Sequence, residues 1–543
     1  MKSDSRKSGE LHNAFALRAV AGTGLEHAES FTSSQGGMSR DAPVALITTS
    51  GCQFCAQAKA QLDAAGLGYE EIDLGAFPKL LAEVKAATGR QSVPQVFLGG
   101  LLIGGAEELE AALADGSFQD ALDGNNEPAL PADLREAVDR TRASTPQATV
   151  PRPLLPDGMS DERYAHLQGI AVKLGKGLLP NGNRMFTLAE GGEWMRRARI
   201  TPSPDAGLGL LSDLQRAHLL YVADGSGADL ATVEPGMGTP PSASTALQLV
   251  ADAPHAAWGE SLNVQVPWYG EAHPASQVAD GLRSMILTLY DKHLAPDGKG
   301  VDYASLAHDP GFRDYVTATS ELQKVELSYL DRRELMAFFI NIYNALVVHG
   351  MVLFGPAEST IKRLQWFSQV RYTIGGMDFS CNDIEHGVLR GNAPSPASIG
   401  VLLGKPSWAR PTFKKGDPRA RLAVQPMDKR IHFALVCGAK SCPPIRVYTP
   451  DELEEGLDAA AASFCEGEVT VQHEAHVVEL SSIFKWYAND FGPPEELLPW
   501  LLRFLPDTPA HELEDLLAHL GPANIKVTYK DYDWSLNNSA EEE

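Results

Sequence analysis

The chain has 543 residues, more than one hydrophobic core usually holds, which predicts three or four domains. Hydrophobic residues make up 44% and charged residues 21%, so a wholly disordered, collagen-like or coiled-coil chain is excluded. Against 46 basic residues stand 70 acidic ones, and the resulting net charge of −24 makes nucleic acid an unfavourable partner.

Changes in composition along the chain divide it into segments and predict a multidomain α+β protein. Proline-rich stretches mark the boundaries, because such stretches act as semi-rigid spacers. The expected segments are a disordered arm at 1–41, a first domain at 42–123, a linker at 124–161, a second domain at 162–224, a second linker at 225–261, a larger α+β domain at 262–538 and an acidic tail at 539–543.

Targeting signals are not evident, and we expect the protein in the cytoplasm rather than in the chloroplast. The first residues contain no apolar stretch of signal-peptide length, and Asp4, Glu10 and Glu26 depart from the acid-poor character of transit peptides. Residues 335–354 run without a formal charge, but Asn341 and Asn344 interrupt them. We therefore predict a buried core helix there rather than a membrane span.

Six cysteines are too few for a disulfide-rich secreted scaffold, and a CxxC pair indicates chemistry instead. Residues 44–48 are apolar and β-branched, and the segment after Cys52 and Cys55 has helical composition. A thiol at a helix N-terminus is stabilised as thiolate, so Cys52 is the candidate nucleophile and Cys55 the candidate resolving thiol. Half a zinc site and a buried structural pair remain alternatives.

The segments after the CxxC pair follow the order strand, helix, two strands and helix. Val93 and Pro94 stand about 40 residues after Cys52, Gly104 and Gly105 ten residues later, and an acidic pair follows. This pattern resembles the glutaredoxins, which implies a thioredoxin-like α/β fold and glutathione-dependent exchange with disulfide or glutathionylated proteins.

The resemblance also implies a glutathione groove. A cis Val93–Pro94 bond would lie beside the cysteines, with the backbone of Val93 pairing with glutathione as an added strand. Gly104 and Gly105 would let the backbone approach the tripeptide, and its α-amino group would meet Glu107 or Glu108.

The groove departs from the common glutaredoxin pattern near the cysteines. Thr49 and Phe54 stand where many glutaredoxins have lysine and tyrosine, so the glycine carboxylate of glutathione would rely on Arg90 or Gln91. Proline is also missing between the cysteines. This leaves open a [2Fe-2S] cluster shared through Cys52 and glutathione, with the protein acting as a redox sensor or scaffold.

The second domain contains a string that is similar to the DEP domains, which are winged-helix modules used for docking on membranes or receptors. The string runs from Phe186 through Trp194 to Leu214. The cluster of Arg196, Arg197 and Arg199 could meet anionic headgroups, or it could simply end a solvated helix.

Three strings in the C-terminal domain resemble the family catalogued as domain of unknown function 547. They are AFFINIYN at 337–344, the segment from Tyr372 to Gly391, and IHFALVCGAKSCPP at 431–444. The complete arrangement is similar to glutaredoxin, DEP and unknown-function fusions of plants and green algae.

A second chemical site is a further hypothesis, because these strings carry a possible Cys–His–acid set for hydrolase-like acyl transfer. Cys437 follows the apolar, strand-like run FALV. Structural alternatives are a buried, inert thiol, a Glu385–Arg390 pair and satisfied core amides. A metal site is not expected. The candidate residues are Cys437, Cys442, His386, His432, Glu385 and Asp383.

Overall fold

The computed structural model describes most of the chain between residues 43 and 533. The described ranges are 43–49, 53–74, 77, 80–90, 93–123, 128–144, 154–155, 158–179, 185–223, 230, 242–295, 301–357, 359–396, 410–438, 446 and 448–533. The expected arm at 1–41, the acidic tail, and the side chains of Cys52, Gln91 and Cys442 lie outside these ranges.

The first domain is built on a four-stranded sheet of order β2-β1-β3-β4, in which only β1 and β2 are parallel. Gly99 and Gly100 form the predicted hairpin turn with positive φ angles. The elements are β1 Val44–Thr48, α1 Gln53–Ala64, β2 Tyr69–Asp73, α2 Leu80–Thr88, β3 Gln95–Leu98, β4 Leu101–Gly104, α3 Ala106–Asp115, α4 Ser117–Asp123 and α5 Ala132–Ser144.

Helix α5 lies within the segment expected as a linker, yet it packs on the sheet of the first domain. Leu134 and Val138 are buried in one hydrophobic cluster with Ile47 of β1. Arg135 and Arg142 both pair with the buried carboxylate of Glu70 in β2. Part of the 124–161 segment therefore extends the core of the first domain.

Among its described residues, the second domain has three helices and a three-stranded antiparallel sheet of order β5-β7-β6. Its central strand, β7, falls within the stretch expected as the second linker, so the domain extends beyond residue 224. The elements are α6 Asp161–Leu178, β5 Met185–Thr187, α7 Leu188–Arg197, α8 Pro204–Arg216, β6 Leu220–Val222 and β7 Ala246–Leu249.

Glycines allow α7 and α8 to cross closely. A Cβ atom on Gly207 would lie 2.9 Å from the Cα atom of Gly192 and 3.0 Å from its carbonyl oxygen, and neither backbone atom can move aside alone. Gly209, two residues along the same helix, is exposed and has open space around it.

We predict that Gly207→Ala destabilises the second domain by about 1–3 kcal/mol, because overpacking forces the helices apart. The matched variant Gly209→Ala should instead stabilise it by about 0.5–1 kcal/mol through helix propensity. Urea denaturation, monitored by amide hydrogen exchange within α7 and α8, would measure the change in stability caused by each substitution. Equal effects of the two substitutions would contradict the close crossing.

The second domain contacts the start of the C-terminal domain. The Val222 amide donates a hydrogen bond to the Tyr269 hydroxyl at 3.2 Å, and the rings of His218 and Trp268 stack at 3.5 Å. Burial lowers the pKa of His218 to about 3, with His273 acting in the same direction, so this histidine is neutral at pH 7.

The first half of the C-terminal domain surrounds one long helix, α12. Every residue from Leu335 to Met351 is buried, although the helix is long and apolar enough to cross a membrane. This burial fits the prediction of a core helix. The elements are α9 Ala275–Lys292, α10 Tyr303–His308, α11 Pro310–Thr319, α12 Arg332–Phe354, α13 Thr360–Gln369, β8 Arg371–Ile374, β9 Met377–Ser380 and a π-helix at Asp383–Leu389.

The second half of this domain has its own hydrophobic cluster, which includes Phe433, Phe464, Phe484 and Phe491. Strands β10 and β11 are antiparallel, and β11 and β12 are parallel. The elements are α14 Leu453–Glu468, β10 Thr470–Gln472, β11 Val477–Leu480, α15 Ser482–Trp486, α16 Ala488–Phe491, α17 Pro494–Leu501, α18 Asp507–Leu520 and β12 Lys526–Tyr529. Short 3-10 helices occupy Val250–Asp252, Ser320–Lys324, Pro418–Leu422, Lys429–Phe433, His473–Ala475 and Pro522–Asn524.

Candidate functional site

The strand directions bring the ends of β1, β2 and β4 and the start of β3 together at one edge of the first domain's sheet. Helix α1 begins at this edge, and Cys55 lies in its first turn. The Cys55 side chain is only 2% exposed and is disulfide-bonded. A buried sulfur in this position fits the resolving role that the sequence predicts.

Most residues of the expected groove border the same edge. Thr49 is buried directly after β1, the Phe54 ring is 46% exposed, and the Val93–Pro94 bond is cis as predicted. Gly104 has φ of 143°, and a Cβ atom there would lie 2.5 Å from the Cβ atom of Glu108. This position accepts only glycine without rearrangement, because the Glu108 side chain packs against it.

Two residues expected to bind opposite ends of glutathione pair with each other. Arg90 Nη1 lies 3.3 Å from Glu108 Oε1, while Glu108 Oε2 accepts a hydrogen bond from the Gly105 amide at 2.9 Å. Burial acts to raise the pKa of Glu108, but the Gly105 amide and Arg90 lower it, so the carboxylate is ionised. Glu107 and Glu108 are both exposed, and Glu108 is the one that already bonds the Gly105 amide and Arg90.

In the C-terminal domain, three of the sequence-predicted candidates lie in one buried cluster: Glu385, His386 and His432. Each is at most 8% exposed. Asp383 is separate from them, because its carboxylate accepts hydrogen bonds from Ser380 and pairs with Arg419 at 3.3 Å. Ser380 and Arg419, which bind Asp383, thus lie outside the buried cluster of Glu385, His386 and His432.

Arg390 and Asp490 complete the cluster, and the sequence did not mark them as a pair. Arg390 donates from Nε and Nη2 to the two oxygens of Asp490 at 2.6 and 3.0 Å, and His432 Nε2 lies 2.9 Å from Asp490 Oδ2. The alternative pair with Glu385 is not the one that Arg390 forms. The Arg390 backbone amide donates a hydrogen bond to the Glu385 carbonyl five residues earlier, which is the π-helical pattern. Arg390 Nη1 also lies 3.0 Å from His386 Nδ1.

The Glu385 carboxylate accepts hydrogen bonds from two tyrosine hydroxyl groups. Tyr487 donates to Oε1 at 2.5 Å and Tyr343 donates to Oε2 at 3.2 Å. Burial acts to raise the pKa of Glu385, but His386 and the Tyr487 hydrogen bond lower it below its ordinary value. Burial lowers the pKa of His386 to about 4, and it also lowers the pKa of His432.

Cys437 does not follow a strand, contrary to the interpretation of FALV. A 3-10 helix ends at Phe433, and the next backbone groups bond to a side chain instead of a neighbouring strand. Asn344 Nδ2 donates to the Ala434 carbonyl and its Oδ1 accepts from the Val436 amide, both at 3.0 Å. The half-buried Cys437 sulfur then lies 3.2 Å from the Tyr532 hydroxyl.

Asn344 is thus a satisfied core amide, as one of the structural alternatives had it, and Asn341 behaves in the same way. Asn341 Nδ2 donates to the Tyr448 carbonyl at 2.7 Å, and its Oδ1 accepts from the Tyr448 amide at 3.3 Å. Among the described residues, no group of three His, Cys, Asp or Glu side chains has the geometry of a metal site.

Comparisons with known proteins match two parts of the chain. A family model described as Glutaredoxin matches residues 44–103, and one described as Protein of unknown function, DUF547, matches residues 327–465. A glutaredoxin of Neisseria meningitidis serogroup B is 38% identical over 80 residues, which cover 94% of that protein and 14% of this chain.

Two further similarities concern the same domain. Hybrid peroxiredoxin hyPrx5 of Haemophilus influenzae is 46% identical over 71 residues. The match covers 13% of this chain and only 29% of the length of hyPrx5. The structure of a buckwheat glutaredoxin-glutathione complex is 27% identical, covers 16% of this chain and 80% of that one, and has a TM-score of 0.15.

The first domain is thus a thioredoxin-like module with a CxxC pair, joined to a DUF547 domain in a multidomain α+β protein. Through that first domain, the chain belongs to the glutaredoxin family.

Proposed function

We propose that the protein is a glutathione-dependent thiol–disulfide oxidoreductase that reduces or deglutathionylates protein substrates through Cys52. The observation that carries this proposal is the buried, disulfide-bonded Cys55 in the first turn of α1, within a domain that matches glutaredoxins over nearly their whole length. A buried sulfur at a helix N-terminus is protected from solvent yet placed to resolve a mixed disulfide.

Cys52 lies outside the described residues, and the CxxC spacing makes it the candidate partner of Cys55 in the exchange. Among the described cysteines, Cys381, Cys437 and Cys465 are not disulfide-bonded. Reduction of a Cys52–Cys55 bond would give the thiolate that attacks a substrate disulfide.

The test is a coupled assay of the full-length protein with glutathione, glutathione reductase and NADPH. The substrate is the mixed disulfide of glutathione with a small thiol. We expect NADPH oxidation that scales with protein concentration and saturates with substrate. A rate equal to that without protein would overturn the proposal.

We propose a docking role for the second domain as a DEP-like module, and a cytoplasmic location for the protein. The order helix, strand, two helices and two strands supports a winged-helix assignment. Arg196 and Arg197 both pair with Glu193, at 2.6 and 2.9 Å, which weakens the basic cluster as a lipid site. Sedimentation with phosphatidylserine vesicles would separate docking on lipid from docking on a protein receptor.

The cluster-binding alternative predicts visible absorption in protein purified without oxygen in the presence of glutathione. No observation in the described structure favours this alternative over plain thiol–disulfide exchange. A spectrum without visible bands would leave the oxidoreductase as the function of the first domain.

A further inference from the structure

An ion pair joins two segments that border the expected glutathione groove. Arg90 lies between α2 and β3, three residues before Val93, and Glu108 lies in the first turn of α3. Arg90 Nη1 is 3.3 Å from Glu108 Oε1, and the two side chains are 44% and 49% exposed, so a ligand can reach both. We propose that this Arg90–Glu108 pair determines ligand specificity, because it selects thiols that carry a carboxylate and an ammonium group together.

The Glu108 end of the pair is fixed by the local backbone. Gly105, the N-cap residue of α3, donates a hydrogen bond from its amide to Glu108 Oε2 at 2.9 Å. A Cβ atom on Gly104 would lie 2.5 Å from the Glu108 Cβ atom and 2.8 Å from its Cγ atom, so the side chain lies directly over this glycine. One carboxylate oxygen is therefore held at the start of the helix, and Oε1 is the one that pairs with Arg90.

The Arg90 end is held by its backbone, but its guanidinium can change partner. The Arg90 amide donates to Thr88 Oγ1 at 3.1 Å, and Gln95 Nε2 donates to the Arg90 carbonyl at 3.3 Å. Gln95 is 1% exposed and belongs to β3, so this backbone position is fixed relative to the sheet. The contact with Glu108 joins one nitrogen to one oxygen, whereas a guanidinium can bind an incoming carboxylate through two parallel bonds. A ligand carboxylate is therefore a good competitor for Arg90.

The two ends of the pair cannot both keep a partner when a ligand with a single charge binds. A carboxylate that binds Arg90 takes it away from Glu108, and an ammonium group that binds Glu108 takes it away from Arg90. One ion pair then forms and one is lost. A ligand with both groups forms two pairs and breaks one. Because exposed ion pairs contribute little, the competition should weaken the binding of single-charge ligands only roughly 1.4- to 5-fold.

Glutathione belongs to the selected class, since it carries one ammonium group and two carboxylate groups. We take glutathione as the ligand from the proposed function, on which the inference rests. Arg90 and Glu108 each attract one charge, yet their mutual contact makes the groove discriminate against thiols that have only one. The effect falls on binding and leaves the exchange chemistry at Cys52 unchanged.

The experiment measures dissociation constants of the full-length protein for three thioethers, which cannot exchange with a cysteine. S-Methylglutathione carries both kinds of charge, 3-(methylthio)propionate only a carboxylate and 2-(methylthio)ethylamine only an ammonium group. Shifts of the amide NMR signals of the first domain give the constants without requiring oxidoreductase activity. In Glu108→Gln the side-chain amide oxygen still accepts from the Gly105 amide, so the start of α3 is kept.

Glu108→Gln should bind 3-(methylthio)propionate roughly 1.4- to 5-fold more tightly than the wild type, because Arg90 no longer gives up a partner. Arg90→Met should have the same effect on 2-(methylthio)ethylamine, because Glu108 is released. The affinity for S-methylglutathione should change little in either variant, since the lost ligand contact is offset by the pair that no longer has to break. Without competition, the affinity for S-methylglutathione would fall and the single-charge affinities would stay the same.

Two matched variants remove the same charges without touching the pair. Glu110→Gln acts on α3, where Glu110 Oε2 lies 3.5 Å from Gln61 Nε2, and Lys85→Met acts on an exposed residue of α2. Both should change the three dissociation constants less than the variants of the pair do. Equal effects of Glu108→Gln and Glu110→Gln on 3-(methylthio)propionate would overturn the proposal.

A wild-type protein that binds S-methylglutathione no more tightly than 3-(methylthio)propionate would also overturn it. Failure of the proposed function has a different signature, namely no NADPH oxidation in the coupled assay. The binding experiment would still decide the role of the Arg90–Glu108 pair in that case, because thioether binding is measured without turnover.

Discussion

Cys52→Ser should abolish reduction of glutathione mixed disulfides, with a fall in rate of roughly 100-fold or more, while Cys55→Ser should retain deglutathionylation. Attack on a glutathionylated substrate needs only one thiolate, and the glutathione bound to Cys52 can be removed by a second glutathione molecule. The second thiol is needed when a protein disulfide must be resolved internally. The coupled NADPH assay measures the first reaction, and reduction of a protein disulfide measures the second.

The burial of Cys55 explains why the two variants should differ. A side chain that is 2% exposed cannot readily attack an incoming protein disulfide, but it can attack a sulfur held three residues away. Cys465→Ser is the matched control, since Cys465 is a buried thiol in α14 with no place in either reaction. If Cys55→Ser lost deglutathionylation as completely as Cys52→Ser, the assignment of nucleophile and resolving thiol would be wrong.

The order of strands and helices in the first domain could be predicted because its signals are local. A Gly-Gly pair predicts a tight hairpin turn, and Gly99 and Gly100 have the positive φ angles that such a turn requires. The place of α5 could not be predicted in the same way. Leu134 and Val138 stand in a proline-rich stretch, and only their contacts with the sheet assign them to the first domain.

The C-terminal cluster was predictable in part. Glu385, His386 and His432 stood out as reactive residue types within motifs, and they do meet. Arg390 and Asp490 are 100 residues apart, and no periodicity connects them. The error at FALV has a physical cause, since Asn344 supplies the hydrogen bonds that a strand neighbour would have supplied. Such tertiary partners leave no mark on local propensity.

Arg390→Met should lower the free energy of unfolding of the C-terminal domain by about 3–5 kcal/mol, because it leaves a buried carboxylate without its cation. The Arg390 side chain is 4% exposed, and its guanidinium lies 5.0 Å over the Tyr487 ring besides bonding Asp490. The control Arg503→Met removes a pair with Asp458 in which Arg503 is 60% exposed, and it should cost about 0.2–1 kcal/mol. Urea denaturation followed by tryptophan fluorescence would compare them.

The dependence on pH gives this prediction a second measurement. Burial acts to raise the pKa of Asp490, but hydrogen bonds from His432 and Arg390 lower it to about 2 from an ordinary value of 3.8. The pair therefore stabilises the fold above pH 3.8, and this contribution is lost as the pH falls towards 2. In Arg390→Met the Asp490 pKa rises, so stability should decline at a higher pH. Adding Asp490→Asn removes the unpaired charge while leaving an acceptor for His432, and should restore part of the lost stability. If Arg390→Met and Arg503→Met cost the same, the buried ion pair does not hold this cluster together.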